Sequence, residues 1–411
     1  MFRPLYLIPL LSVLVLLLGS GCVRYRPQVA TVEASAASLP HAPTGPLAFD
    51  DAVVLLIKRN PQLKATRSAI SAVNLTPGPR PLVGGMEIMD GRAGETMIAT
   101  DILSLLGLGP RRAEMAMRRS MRDERIQRHH ELARDLVAEL AEAYAVELAL
   151  RELPDPRTGL DVSAFEEAGL ASDSVLAAAR AVVAEGDAEA RVIAAQLRDA
   201  RRRIVELVGA APGADIEPTG ADETWPVVQE ADRNRLVLAR GDLQRLFANW
   251  IVADKAYRFQ LKRQMPNLIL GAGGNLNTEV PMQMVRVELP LDAPAEAKAR
   301  DHARTVAFHE LEAGVLGALH DAESSKLELE AAAARRDGSR ERRIAANALL
   351  DAERALLETD PAALDRVVFV AGRAVDSARQ HREASIRAAR ARVLAARAAG
   401  WPTPEMIGGA Q

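Results

Sequence analysis

The sequence predicts a mainly α-helical protein with a small β part, built from long antiparallel helical hairpins and two β-hairpins. Three observations carry this. Aromatic residues make up only 3% of the 411, while Ala, Leu, Val, Arg and Glu dominate, a composition of long helices with alanine-rich seams rather than of a thick globular core. Apolar residues recur at helical spacing over two long stretches, from Pro110 to Leu153 and from Ala295 onward. Each long stretch follows two short runs separated by turn residues: "LVGGMEIMD" and "ETMIATDIL" within 82–103, and "NLILGAGGNLN" and "PMQMVRVELPL" within 267–291. These read as hairpins.

At the N-terminus, Arg3 precedes an apolar run from Leu5 to Leu18, interrupted by Pro9 and Ser12, and small residues Gly19 to Gly21 follow. This is the layout of a secretory signal over 1–21, too short for a comfortable membrane span. Cys22, the single cysteine, comes next, and the stretch resembles a bacterial lipoprotein signal whose cleavage leaves a thiol for lipidation. Gly19 stands where such signals usually carry Leu. An uncleaved N-terminal anchor is the other reading, and both take the protein out of the cytoplasm. Removing 1–21, which contains the one charged residue Arg3, leaves 51 of the 52 basic residues against 55 acidic ones. That balance offers nothing to nucleic acid. With Cys22 lipidated no disulfide can form, so the body must hold by packing. Residues 22–47, rich in Ala, Ser, Thr and Pro and without a period, read as a lipidated tether.

The body starts with "LAFDDAVVLLIKRNPQLKATRSAISAVNL", where Asp50 or Asp51 is expected to cap a short helix that Pro61 separates from a second. After the first hairpin comes the long helix from Pro110, ended by Pro154 and Pro156. "FEEAGLASDSV" then offers Gly169 as a C-cap before another helix. The order repeats. Leu243 lies on Leu63 at an offset of 180 residues and Ala295 on Pro110 at 185, and "ELVGAAPG" near Gly209 is matched by "ARAAGWP" near Gly400. The chain therefore divides into repeats 48–220 and 221–411. In the second repeat the turn is "LETDPAALDRVV", with Thr359 or Asp360 as cap and Pro361 opening the next helix.

The order of "LAFDDAVVLLIKRNPQL", hairpin, "AEAYAVELALRE", "FEEAGLASDSVLAAARA", "ELVGAAPG" and "RGDLQRLFANWIVADKAYRFQLKRQMPNLILGAG", behind a lipoprotein signal, resembles the outer-membrane efflux protein family, the TolC-like channels. The resemblance implies a homotrimer with a periplasmic helical α-barrel and a shared transmembrane β-barrel to which each subunit gives four strands. It implies an exit duct for small molecules in the outer membrane, working with a periplasmic adaptor and an inner-membrane pump. By the same resemblance the adaptor docks at tip turns formed by Gly169, Leu170 and Ala171 and by Asp360, Pro361 and Ala362. Asp173 and Asp365 stand where acidic rings would form in a trimer, although helix capping is the simpler role for an Asp beside a turn.

The residues themselves bear on this. Val285, Val287, Leu289 and Leu291 alternate with Arg286 and Glu288, which suits lipid on one face and water on the other. Neither hairpin carries an aromatic residue for an interfacial girdle. Leu132, Leu136 and Leu140, with Ala133, Ala141 and Ala145, make one packing stripe on a wet helix, as either a tunnel wall or a plain coiled coil would. A non-conducting periplasmic coiled-coil lipoprotein with a structural or docking role is thus the alternative to a duct.

No enzyme signature stands out. "HELEA" at His309 has Ala313 where a zinc protease needs its second His, and "GAGGNLN" at Gly271 has Leu276 where a dinucleotide loop needs Gly. His129, His130, His302 and His309 read as solvated helix residues rather than metal ligands. No catalytic residue, metal or cofactor is expected. Cys22→Ser is expected to leave the precursor without acyl chains; radiolabelled palmitate incorporated into that variant at the normal level would overturn the signal assignment.

Overall fold

The computed structural model describes residues 45–75, 86–90, 95–101, 110–167, 169, 172–211, 213, 216–219, 239–264, 267–275, 281–288, 293–357, 363–403 and 406. Cys22 and the apolar run before it lie outside the described residues. In chain order the elements are β1 (Gly45–Ala48), α1 (Phe49–Arg59), α2 (Pro61–Leu75), β2 (Met86–Asp90), β3 (Glu95–Asp101), α3 (Pro110–Arg151), α4 (Val162–Glu167), α5 (Asp173–Leu207) and β4 (Ile216–Thr219). Then come α6 (Gly241–Arg263), β5 (Asn267–Asn275), β6 (Pro281–Glu288), α7 (Ala293–Leu357) and α8 (Leu364–Ala398). No described helix is long and apolar enough to cross a membrane.

Residues 45–47, read from sequence as the end of the tether, instead pair in parallel with β4, Gly45 opposite Ile216 and Ala48 opposite Thr219. Four residues including Pro46 are too few to show a period, and proline is tolerated because a two-stranded ribbon is all edge. The chain runs straight from β1 into α1, so Ala48 becomes the N-cap with no side-chain bond. The expected cap at Asp50 or Asp51 is thereby corrected. Both sit in the first helical turn, where their charge complements the helix dipole.

Asn60 makes the break between α1 and α2. Its Oδ1 accepts from the backbone N–H groups of Gln62 and Leu63 at 3.0 and 3.4 Å, capping the helix that Pro61 opens. Its Nδ2 donates to the carbonyl of Leu207 at 3.1 Å, which ties the first turn of the repeat to the last turn of α5. Tyr144, almost fully buried, donates to the carbonyl of Leu47 at 3.0 Å and meets Phe49 edge to face at 5.4 Å. Around this pair the largest core gathers Leu56, Ile57, Leu63, Leu140, Ile204 and Ile216, side chains from five different elements.

Both repeats close in the same way. The N–H of Gly209 bonds the carbonyl of Glu206 and that of Ala210 bonds Val205, at 3.0 and 3.1 Å; Gly400 bonds Arg397 and Trp401 bonds Ala396, at 2.9 and 3.0 Å. Gly209 has φ +68° and Gly400 +94°, the left-handed C′ position of a Schellman ending. A Cβ on Gly209 would lie 2.9 Å from the Arg59 carbonyl oxygen, and one on Gly400 would lie 2.6 Å from the Ala239 Cβ. Arg59 and Ala239 are themselves 180 residues apart, the offset read from the sequence.

The long helices form a layered wall in which α7 packs on α6 and α8, α6 on α3, and α3 on α5 and α8. α7 is continuous over 65 residues, about 98 Å at 1.5 Å per residue, whereas α3 has 42 and spans about 63 Å. Past Arg151 the first repeat continues as irregular chain to Asp161 and then the single-turn helix α4. The proline break read at Pro154 and Pro156 is therefore present. A test follows from the two kinds of left-handed glycine. Gly209→Ala is expected to cost about 2 kcal/mol or more, combining backbone strain with overlap on Arg59. Gly169→Ala, with nothing within 4 Å of its Cβ, should cost only about 1 kcal/mol of strain. Thermal unfolding of the two variants measures the difference.

Candidate functional site: the sheet faces, the helical wall and the tip

Four strands make one antiparallel sheet in the order β2-β3-β5-β6. Leu270 is opposite Val285, Leu268 opposite Val287, and Ile98 opposite both Ala272 and Ile88. Because strand positions alternate between faces, this register collects Ile88, Ile98, Leu268, Leu270, Val285 and Val287 into one set. Arg286 and Glu288 fall in the other, with Glu87 and Glu95. Leu270, Val285 and Val287 are 38, 71 and 58% exposed, so these three apolar side chains meet the surroundings. The outer strands β2 and β6 each have one edge unpaired among the described residues. Leu289 and Leu291 lie outside the described residues.

α7 is apolar on two opposite sides. Ala297, Ala307, Ala318, Ala332 and Leu350 are buried against α6 and α8. On the far side Val306, Leu316, Leu327 and Leu349 are 57, 59, 61 and 44% exposed. With His309, Ala313, Ala331, Ala334 and Ala345, also exposed, they follow the alternating three and four spacing of a coiled-coil seam. α5 carries a shorter counterpart in the exposed residues Ala177, Ala181, Ala184 and Ala188. The spacing of this second stripe is as legible in the sequence as that of the stripe on α3.

At the far end from the sheet, α5 and α8 meet. Ala179, Leu364 and Val368 form a small core with Phe165, Val182 and Leu357. Gly169 is left-handed at φ +65° and its N–H bonds the carbonyl of Glu166 at 3.1 Å, as a C-cap glycine should. Leu170 and Ala171 lie outside the described residues, and so do Thr359, Asp360, Pro361 and Ala362. Asp173 and Asp365 are exposed in the first turns of α5 and α8, whose N-cap positions are Ser172 and Ala363; neither Asp caps its helix. The acid that does cap is Asp161. Its Oδ1 accepts from Ser163 Oγ at 2.6 Å and the Ala164 N–H at 3.2 Å, and these bonds hold its carboxyl below the usual range. Beside Asp365, Phe369 is 67% exposed with the Arg373 guanidinium 6.0 Å from its ring. The sequence offered no signal for it, because one Phe among valines reads as core.

α5 and α8 are also joined by charge. Arg382 Nε donates to Glu189 Oε1 at 2.5 Å and Arg382 Nη1 to Gln196 Oε1 at 3.1 Å, with Arg379 Nε 3.7 Å from the other Glu189 oxygen. Glu189 and Arg382 are 4 and 8% exposed. Their attraction offsets a desolvation cost, so removing one member leaves a buried charge alone.

The histidines differ from their expected solvation. His302 and His309 are exposed, but His129 is buried and its Nδ1 is 2.6 Å from Thr66 Oγ1. Burial, then the neighbouring His130 and Arg67, lowers its pKa. Lying between α2 and α3 removes it from water, which one helix's sequence does not reveal. Among the described residues no group of three or more metal-binding side chains converges.

The chain has the fold of TolC-like outer-membrane efflux channels. It is similar to the outer-membrane channel OprN, with a TM-score of 0.68 and 15% identity over 92% of this chain and 98% of that one. It is similar also to the open state of the MtrE outer-membrane channel of Neisseria gonorrhoeae, with a TM-score of 0.69 and 14% identity over 86 and 88%. A third is the outer-membrane protein VceC of Vibrio cholerae, with 0.65 and 15% over 86 and 96%. No family profile and no curated protein sequence matches the chain.

The buried pair generates a test. Glu189→Ala is expected to destabilise by about 3 kcal/mol, whereas Glu189→Leu with Arg382→Met together should recover most of that loss; thermal unfolding of the single and double variants reads it.

Proposed function

We propose that the chain is an outer-membrane lipoprotein acting as the exit duct of a tripartite efflux or export system, through which small molecules pass without catalysis. The observation that carries this reading is the open four-stranded sheet with these exposed apolar side chains. A bilayer tolerates no open sheet edge, because every unpaired backbone group there costs several kcal/mol. Copies of the chain that joined β6 to β2 would close the sheet. Three copies make twelve strands, with the set containing Leu270, Val285 and Val287 toward lipid and the set containing Arg286 and Glu288 toward a watery lumen. The exposed stripe on α7 supports the same arrangement. It gives a neighbouring subunit's α5, with its alanine stripe, an apolar surface along the periplasmic wall. A thioether-linked lipid on Cys22 anchors each subunit to the outer membrane.

In this reading the helical tip receives a periplasmic adaptor, which connects the duct to an inner-membrane pump. Gly169, Leu170 and Ala171 would form one docking turn and Asp360, Pro361 and Ala362 the other. Phe369 offers the kind of exposed aromatic anchor that interfaces use. Asp173 and Asp365, brought together by threefold symmetry, would line the opening with negative charge.

A second reading has its own observation. The strands have 5, 7, 9 and 8 residues, where a tilted membrane strand takes about 9–11, and none carries an aromatic residue. A non-conducting periplasmic coiled-coil lipoprotein fits such a short sheet. Conductance separates the two: discrete channels in planar bilayers are expected for the duct, and their absence from correctly trimeric protein would leave the structural role. Leu316→Glu with Leu327→Glu should convert trimers to monomers on native gels. Phe369→Ala and Gly169→Val should leave trimers intact but weaken adaptor recovery and export. Unchanged recovery in both would remove the tip from the docking site.

A further inference from the structure

The strongest unassigned feature lies where α3 stops short of α7. The irregular chain after Arg151 crosses α7 and α8 there, and a cavity of about 160 Å³ is lined by Thr158, Arg343, Asn347, Asp351 and Arg354 among others. That is roughly ten times the about 15 Å³ one water needs. Thr158 is 5% exposed. Its Oγ1, Arg343 Nε and Arg354 Nη2 are all shielded from solvent and have no hydrogen-bond partner in the chain. Three buried polar groups left unmatched along one small cavity are costly, and the two guanidinium atoms can only donate.

Arg343 also borders a second cavity of about 160 Å³, on the other side of the break, with Arg336, Arg340, His381 and Ser385. Available counter-charge is scarce. Asp337 is held by Arg336 at 3.1 Å, Asp155 by Arg157 at 3.6 Å, and Asp351 stands 3.7 Å from Arg354. Glu152 and Arg392, at the rim, have partners of their own. The carbonyl end of α3 carries about half a negative charge, too little to balance Arg340 and Arg343 together. The local field is positive enough to act on its neighbours: burial and then Arg340 lower the Arg343 pKa, while burial and then Arg343, Arg340 and Arg336 lower that of His381.

We infer that the break in α3 forms a binding site for a small oxyanion, phosphate or sulfate in chemical class, held by Arg343 with Arg354 and the Thr158 hydroxyl. An oxyanion supplies the acceptors that the buried donors lack and the charge that the arginines share, and guanidinium groups match its geometry. Bound there, it would link α7, α8 and the chain that follows α3. The inference does not depend on whether the duct conducts.

The experiment uses full-length protein in detergent micelles. Its unfolding midpoint is followed against inorganic phosphate at constant ionic strength, with chloride as the balancing anion. The midpoint is expected to rise with the logarithm of phosphate above a half-saturating concentration. Arg343→Gln and Arg354→Gln should each raise that concentration about tenfold or more, the weight of one charge-assisted bond. Thr158→Val should raise it about threefold while leaving the phosphate-free midpoint unchanged or higher, since the lone hydroxyl is gone. Arg387→Gln, on an exposed part of α8, should behave as the parent. Should Arg343→Gln fail to fold, Arg354→Gln decides, because that side chain is partly exposed. A parent protein that shows no phosphate response would mean that the cavity holds water alone and overturns the inference. An equal response in the parent and in Arg354→Gln would mean general salt exclusion, and overturns it as well.

Discussion

Long helices packed side by side meet along seams, and this constraint shapes most of the chain. A helix in such an array buries a stripe only against its neighbours, and the closer the neighbour lies the smaller the residues between them. The buried seam of α7 accordingly reads Ala297, Ala307, Ala318 and Ala332, with Leu350 near its end. Aromatic rings gather in two places, with Phe247, Trp250 and Phe308 together between α6 and α7 and a second group where several elements meet. Phe49, Tyr144 and Trp401 stack there beside the β1 and β4 ribbon, and the main core sits with them. The exposed seam on α7 lies on the side away from α6 and α8, where no described helix of its own chain covers it.

Closing each repeat onto its own start is the second organising device. Gly209 lies against Arg59 and Gly400 against Ala239, so the end of the last helix in each half is fixed to the break before its second helix. The two halves thereby reach the same local geometry with different side chains. Asn60 spans the first junction through its amide. At the second, Arg240 occupies the same position and reaches Asp242 and the Ala318 carbonyl instead, at 2.7 and 3.3 Å. What the duplication preserved is the backbone approach, and glycine alone permits it.

The parts of this architecture legible in the sequence are those fixed by near neighbours along the chain. Pro110 opening a helix, Pro154 and Pro156 ending one, Gly169 as a C-cap and the two hairpins are all specified within a few residues. So is the repeat, since its offset survives in Leu63 and Leu243. Features set by distant residues were not legible. β1 waits for a partner 171 positions away at Ile216, and Glu189 for Arg382, 193 positions away. His129 looks solvated until Thr66 of another helix is placed against it. The caps fell between these cases. Asp50, Asp51, Asp173 and Asp365 have the right composition beside a turn, but which residue becomes the N-cap depends on where the preceding chain turns in, and among the described aspartates near the tip Asp161 takes that role.

The unequal lengths of α3 and α7 bear on symmetry. Two repeats of equal length, arranged around a threefold axis, would present six nearly equivalent helical arms to whatever meets the end of the wall. Here the first helix of one arm ends about 35 Å short, by the difference of 23 residues at 1.5 Å per residue, and the chain reaches the tip core as a coil and a short helix. A trimer of this chain would therefore be trigonal at its far end and not pseudo-hexagonal. A partner that reads alternate arms as different would seat one copy per subunit, where six like arms would accept two.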